Sequence, residues 1–282
     1  MLLFDQIPAL KNYVRESHRV GKTIGFVPTM GALHAGHLSL IERAISENDL
    51  VICSIFVNPL QFNNTQDFTK YPRNFEKDIN LLASYPNLYL FLPDERTMYA
   101  EQPTLKVDFG NLEQVMEAAH RPGHFNGVGI VVAKLFHLVQ PDRAYFGQKD
   151  LQQCRVIQCL VHDLSFDLEM VICTTIREED GLAMSSRNLR LTPDQRKHAV
   201  LLPQALFLAR ELIQKEQKDF SVVKQRITDF FSNTPLRLEY FDIVHSQTLQ
   251  PVQTIADTPQ LALCIAAYLG EIRLIDNILL PE

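Results

Sequence analysis

The run Leu50-Val-Ile-Cys-Ser-Ile-Phe-Val57 is apolar at every position but one and carries no charge. An apolar run without alternation fits a strand covered on both faces, and such strands belong to parallel sheets flanked by helices. Thr23–Val27, Leu88–Leu92, Ala144–Phe146 and Phe166–Cys173 share its character. Between these runs, helical spacing appears at Ala35–Glu47, Phe75–Ser84, Leu112–Ala119, Gly127–Val139 and Leu151–Asp163. Strand and helix in alternation predict an α/β, doubly wound parallel sheet whose ligands lie beyond the carboxyl ends of its strands.

After about residue 175 the rhythm changes. Thr192-Pro-Asp-Gln195 is a capping box with Pro at the first helical position, opening a helical stretch to about Lys215 that Pro203 should kink or divide. A second helix is expected over Val222–Phe231. Strands are expected at Leu238–Val244, Leu261–Tyr268 and Ile272–Ile275. Helices followed by strands make a smaller C-terminal α+β domain. The expected division is residues 1–175 and 176–282, with the connection at 174–190.

Composition bounds the partners. Twenty-seven Lys and Arg against 33 Asp and Glu give a net charge of −6 with no basic tract. That balance disfavours nucleic acid and anionic membrane as partners. The longest charge-free apolar segment, Leu261–Leu269, is too short to span a bilayer. No secretory signal is visible at Met1–Asp5. Five cysteines, an odd number with no CxxC pair, read as buried thiols of a reducing compartment. The expectation is a cytoplasmic protein.

The chemistry concentrates in Val27-Pro-Thr-Met-Gly-Ala-Leu-His-Ala-Gly-His-Leu38, directly after the first of these strands and opening a helix. A helix start presents unpaired N–H groups and a positive dipole end to an anion such as phosphate. Gly31 and Gly36 would let a ligand approach the backbone closely. His34 and His37, three apart, project together, and neutral imidazoles can donate to phosphoryl oxygens as charge develops. Two surface histidines or a weak metal pair would read the same way in isolation; position after the strand favours a nucleotide.

His34-Ala-Gly-His37 resembles the HIGH motif of the nucleotidylyltransferase superfamily. The longer string from Pro28 to His37 resembles the pantothenate synthetase (pantoate–β-alanine ligase) family. Further landmarks follow in that family's order: Phe56–Phe62, Tyr71-Pro-Arg73, Arg121–Phe125, Phe146–Gln153 and Glu179–Asn188. The resemblance covers nearly the whole chain and implies a Rossmann-like sheet, with an ATP site between the two parts. Its implied ATP-binding residues are Met30, Gly31, Ala32, Leu33, His34, Ala35, Gly36, His37, Gly147, Gln148, Lys149, Asp150, Ile176, Met184, Ser185, Ser186 and Arg187. Gln61, Gln153 and Asn58 are implied for pantoate and β-alanine, Gln61 lying also in the β-alanine path. Tyr71 and Arg121 are expected near the pocket rather than in the chemistry. Leu151 departs from the aromatic residue the family favours there, which bears on packing.

By the same resemblance, the chain condenses (R)-pantoate with β-alanine through a pantoyl adenylate, converting ATP to AMP and pyrophosphate. His37, His34, Lys149, Ser185, Ser186 and Arg187 are the implied catalytic residues, with His37 the foremost phosphate contact or proton donor. Glu76 and Asp78 flank Lys77, where the family often has another acid. No protein metal ligand is therefore assigned, and Mg²⁺ is expected to arrive with ATP through phosphates and water. A homodimer is also implied. Two rivals remain at this point: a related adenylyltransferase that releases an adenylylated metabolite, and a non-enzymatic nucleotide-binding domain.

Overall fold

The structure, a computed structural model, describes residues 2–215, 219–254, 257–258 and 260–280. The N-terminal part runs β1 (Leu3–Phe4), α1 (Ile7–Arg19), β2 (Ile24–Thr29), α2 (Ala35–Glu47) and β3 (Leu50–Ile55). It continues with α3 (Thr65–Thr69), α4 (Phe75–Leu82), β4 (Leu88–Phe91), α5 (Glu95–Met98) and α6 (Met116–His120). Then come α7 (His124–Val139), β5 (Arg143–Gly147), α8 (Leu151–Asp163) and β6 (Glu169–Cys173). The C-terminal part holds α9 (Pro193–Ala199), α10 (Leu201–Gln214), α11 (Phe220–Phe231), β7 (Leu236–His245), β8 (Leu261–Leu269) and β9 (Ile272–Leu280).

Six strands form a parallel sheet in the order β1-β4-β3-β2-β5-β6. The period-two alternation of strands divides its residues between two cores. Ile24, Phe26, Leu50 and Ile52 point to the face covered by α1, α7 and α8. Val27, Val51, Cys53 and Ile55 point to the face covered by α2 and α4. Both faces are dry, which is why the β3 sequence shows no alternation. The chain winds outward from β2 through β3 to β4, then returns to β5 on the other side of β2. That reversal opens a crevice at the carboxyl ends of β2 and β5.

A separate antiparallel sheet, β7-β8-β9, packs with α10 and α11 around a second core drawn from residues between Leu182 and Leu280. A small cluster of Met116, Leu151, Val244, Leu249, Ala262 and Cys264 joins the two parts. Among the described residues no helix is long and apolar enough to cross a membrane, and Leu261–Leu269 is the central strand of the small sheet.

Pro203 divides the long helical stretch, as expected, while several other elements differ from the sequence expectation. The helix opened by the Thr192 capping box ends at Ala199, and α10 begins with Pro203 in its first turn. A proline there has no N–H for the Ala199 carbonyl and its ring crowds that oxygen, so the chain divides four residues upstream of it. The expected helix Leu112–Ala119 is a 3-10 turn at Gly110–Glu113 followed by α6, with Met116 at φ +49°. Gln152 secures the break, accepting from Glu117 N at 2.9 Å and donating to Leu112 O and Val115 O. β9 extends five residues beyond its expected end because Asp276 and Asn277, polar in sequence, are buried and paired. Helix α1 is absent from the expected elements; it buries only the narrow stripe Leu10, Val14 and Ser17.

Helix α7 lies against the turn Pro59–Gln61 that follows β3. A Cβ at Gly127 would stand 2.2 Å from Leu60 O and 2.6 Å from Gln61 N, so only glycine permits this approach. In an unconstrained helix Gly→Ala stabilises by about 1 kcal/mol. Here the backbone must move, and Gly127→Ala is expected to destabilise by about 1–3 kcal/mol in chemical denaturation. A stabilising effect would show that the contact is not tight.

Candidate active site

A cavity of about 210 Å³ occupies the crevice. Loops after β2, β3, β5 and β6 wall it, together with the segment Met184–Arg187 from the connection to the small sheet. Of the residues expected in the site, Met30, His34, Gly36, His37, Asn58, Gln61, Gly147, Lys149, Asp150, Gln153, Ile176, Met184, Ser185, Ser186 and Arg187 line it. Gly31, Ala32, Leu33, Ala35 and Gln148 do not.

The first loop corrects the expectation of free N–H groups. Ala32 N and Leu33 N donate to the two oxygens of buried Asp78 at 2.9 and 2.8 Å. Gly31 N donates to Thr29 Oγ1, Gly36 N to His34 Nδ1 at 3.2 Å, and His37 N to His34 O. Those amides are spent on the protein, so the donors this loop offers to the cavity are its imidazoles rather than these N–H groups. Gly31, at φ +81°, makes the turn and leaves room for the Asp78 carboxylate, 3.0 Å from where its Cβ would stand. Gly36 leaves room for the His34 ring, 2.9 Å from its own absent Cβ. Asp78, an acid flanking Lys77, is thus the anchor of this loop.

His34 caps α2, and its ring centroid stands 4.1 Å from that of His37. Burial, with help from the Lys149 charge, pushes His34 down to about 4. Burial, then His34 and Lys149, push His37 down to about 3. Both rings are neutral near pH 7. Since His34 Nδ1 accepts from Gly36 N, its proton sits on Nε2. His37 Nδ1 is buried without a partner among the described residues. Lys149, mostly buried, has Asp150 Oδ1 3.6 Å from its Nζ.

Asn58 is buried and fully committed. Its amide nitrogen donates to Gln61 Oε1 at 3.2 Å and Gly127 O at 3.1 Å. Its oxygen accepts from Tyr99 Oη at 2.9 Å and Leu60 N at 3.3 Å. Asn58 lines the cavity and, through its hydrogen bond to Oε1, holds Gln61 in place. Gln61 Nε2 has only the weak acceptor Met30 Sδ at 3.1 Å, and the Gln153 side chain has no hydrogen-bond partner among the described residues. These two amides are available to a ligand.

The small sheet aims the remaining loops. Asp276 on β9 pairs with Arg177 at 2.6 and 3.0 Å, and Arg177 also donates to Gly181 O. Asn277 donates to Gln148 O and Lys149 O. Gln148 is therefore a backbone anchor. Ile176 O accepts from Met184 N at 3.0 Å, closing the base of the loop that carries Ser185, Ser186 and Arg187. Tyr71 Oη lies 3.4 Å from Ser186 Oγ, and Arg187 donates to Asp67 Oδ2 at 2.8 Å.

Sequence reasoning assigned no role to His124, Glu117 or Asp67 and placed Arg121 only near the pocket. Arg121 donates to His124 Nε2 at 3.1 Å, so His124 Nδ1 donates to Gln61 O at 2.7 Å. Burial and the Arg121 charge hold His124 down at about 3. Burial alone would raise Glu117, but Arg273, bonded at 2.6 and 2.8 Å, with Arg121 and Tyr240, holds it at about 2. The motif Arg121-Pro-Gly-His was visible as a landmark. The roles of Asp67 and Glu117 are not legible locally, since their hydrogen-bond partners Arg187, Arg190, Arg273 and Tyr240 lie more than a hundred residues away.

Among the described residues no group of three or more His, Cys, Asp or Glu could hold a metal ion. Among the described residues, Asp150 is the only carboxylate lining the cavity.

The family model for pantoate-beta-alanine ligase matches residues 2–279. The pantothenate synthetase of Cytophaga hutchinsonii is 45% identical over 99% of both chains. A crystal structure of pantothenate synthetase from Thermus thermophilus superposes with a TM-score of 0.92 at 42% identity, covering 99% of each chain. The pantoate-beta-alanine ligase of Francisella tularensis, solved in complex with beta-gamma ATP and beta-alanine, gives 0.82 at 36% identity over 99% of this chain and 97% of that one. A match that spans the sequence, both sheets and the cavity between them makes this chain a member of the pantoate-beta-alanine ligase family.

Proposed function

We propose that the cavity joins pantoate to β-alanine in two steps that share one site. A carboxylate is a poor acyl donor because oxide would have to leave. Attack of the pantoate carboxylate on the α-phosphorus of ATP expels pyrophosphate and leaves pantoyl adenylate. The β-alanine amine then attacks the acyl carbon and AMP departs with the C–O electron pair, the amine losing its proton. No enzyme nucleophile is needed, so catalysis reduces to positioning and charge stabilisation.

The observation that carries this reading is that two neutral imidazoles and Lys149 line the same cavity as Gln61, whose Nε2 meets only a thioether, and Gln153, whose amide has no hydrogen-bond partner among the described residues. His34 Nε2–H and the His37 ring contact phosphoryl oxygens, and Lys149, Ser185, Ser186 and Arg187 receive the charge of the departing pyrophosphate. Gln61 and Gln153 hold pantoate by its hydroxyl and carboxylate, and β-alanine enters along Gln61. The Met30–His37, Gly147–Asp150, Ile176 and Met184–Arg187 loops frame ATP. Mg²⁺ comes with the nucleotide; Asp150 is the one lining carboxylate able to approach it, so phosphates and water supply its other oxygens. Residues 1–175 carry most of this site and residues 176–282 cover it, a division supported by the separate second core. The free cysteines suit a reducing cytoplasm, and the homodimer implied by the family is open to sedimentation.

AMP release with each substrate omitted in turn tests the reading. AMP should require ATP, pantoate and β-alanine together, whereas pyrophosphate without β-alanine-dependent AMP would favour an adenylyltransferase. His37→Ala should slow pantoate-dependent ATP–pyrophosphate exchange by roughly 10²- to 10³-fold with the fold retained; a near-normal rate removes His37 from the chemistry. With His34 at about 4 and His37 at about 3, that exchange should show no limb near pH 6.5. Unfolded histidines take up protons near 6.5 and the folded ones do not, so stability should be full above that pH and fall as pH drops toward 4. An exchange rate that titrates near 6.5 would assign the work to an imidazolium.

A further inference from the structure

Arg187, proposed above to meet the phosphates, is already engaged by a carboxylate. Asp67, on the short helix α3, accepts from Arg187 Nη2 at 2.8 Å through one oxygen and from Arg190 Nη1 at 3.0 Å through the other. Both arginines belong to the segment that follows Met184. The pairs are half-buried, with side chains of Asp67, Arg187 and Arg190 between 19% and 25% exposed, so solvent screens them only in part. Asp67 sits at a boundary. A second cavity of about 500 Å³ adjoins the first and shares Arg121, Lys149, Asp150, Ser185 and Arg187 with it. Arg187 lines both cavities, whereas Asp67 and Arg190 line only the second.

A guanidinium offers a planar fork of donors to one carboxylate or to phosphate oxygens. A carboxylate beside a phosphate-binding arginine therefore has two opposed effects. It fixes the arginine in place before the nucleotide arrives, and it competes for the same donors afterwards. We infer that Asp67 acts as an internal anionic competitor for Arg187, taking back the guanidinium as pyrophosphate leaves toward the second cavity. Asp67 does not touch the reacting atoms; it is a positioning residue that sets how tightly the leaving group is held. Arg190 moderates it by occupying the other carboxylate oxygen. The inference rests on the assignment of Arg187 to the phosphates.

The sign of the effect separates competition from simple support. Titration of the full chain with magnesium pyrophosphate, followed by calorimetry, reads it directly. Asp67→Asn removes the negative charge while keeping the shape and should tighten pyrophosphate by roughly tenfold, with slower steady-state AMP release. Arg190→Ala leaves Asp67 to Arg187 alone and should weaken pyrophosphate by roughly threefold. A residue that merely braces the loop would weaken binding in both variants. Unchanged or weaker binding in Asp67→Asn at a near-normal melting temperature overturns the inference. If that variant fails to fold, unchanged or tighter binding in Arg190→Ala overturns it instead. Arg187→Ala is the control for the underlying assignment: unaltered pyrophosphate binding there removes Arg187 from the phosphates, a failure distinct from the other two.

Discussion

The buried pair of Arg177 with Asp276 is the contact on which the geometry of the site depends. Asp276 lies within β9, 2% exposed, and both of its oxygens are held by one guanidinium. Burial raises the Asp276 carboxyl and Arg177 opposes that rise. A buried ion pair contributes little net stability, because desolvation consumes most of its Coulombic gain. Its effect is on position. Arg177 also takes Gly181 O and Asn277 O, while the next residue, Asn277, takes Gln148 O and Lys149 O. One stretch of a strand in the small sheet thus ties down the loop after β5 and the base of the loop carrying Ser185, Ser186 and Arg187. Removing either partner would leave a charge buried alone, so the register between the two sheets is specified rather than merely permitted.

A second set of interactions does the same for Gln61. Arg273 of β9 grips Glu117, which lies 3.8 Å from Arg121. Arg121 donates to His124, and His124 holds the backbone of Gln61. Asn58 holds the Gln61 side chain from the other direction, and Gly127 lets α7 press against the turn. Gln61 is fixed at its carbonyl and its Oε1, with Nε2 left over. The arrangement preorganises one donor by using up everything else around it.

The parallel sheet was legible because its strands are buried on both faces and read as uninterrupted apolar runs. The site loops were legible wherever a glycine, histidine or lysine followed such a run, as at His34, His37 and Lys149. What the sequence hid was the use made of polar groups. Asn58 and Gln61 sit in one short motif, yet one is scaffolding and the other is free, a difference set by Tyr99 and Gly127 far along the chain. The use made of the Ala32 and Leu33 amides just before α2 was hidden because their acceptor, Asp78, lies more than forty residues away. The end of β9 was missed for the same reason: Asp276 and Asn277 are polar residues whose burial makes sense only once Arg177 and the Gln148–Lys149 carbonyls are beside them.

The acids explain how a chain of net charge −6 can line a cavity with more cationic than anionic side chains. Asp78, Glu117 and Asp276 all lie close to the cavity, but each carboxylate is turned onto backbone amides or a guanidinium and does not line it. Asp67 is turned onto Arg187 and Arg190 in the same way. The charge facing the cavity is therefore set by Lys149, Arg121 and Arg187 against the single lining carboxylate of Asp150. The histidines are neutral chiefly because burial removes the water that would solvate an imidazolium, and secondarily because a second positive charge beside Lys149 would be repelled. In the proposed adenylation such uncharged donors would strengthen a bond to a phosphoryl oxygen as its charge grows, without first trapping the ground state in a salt bridge.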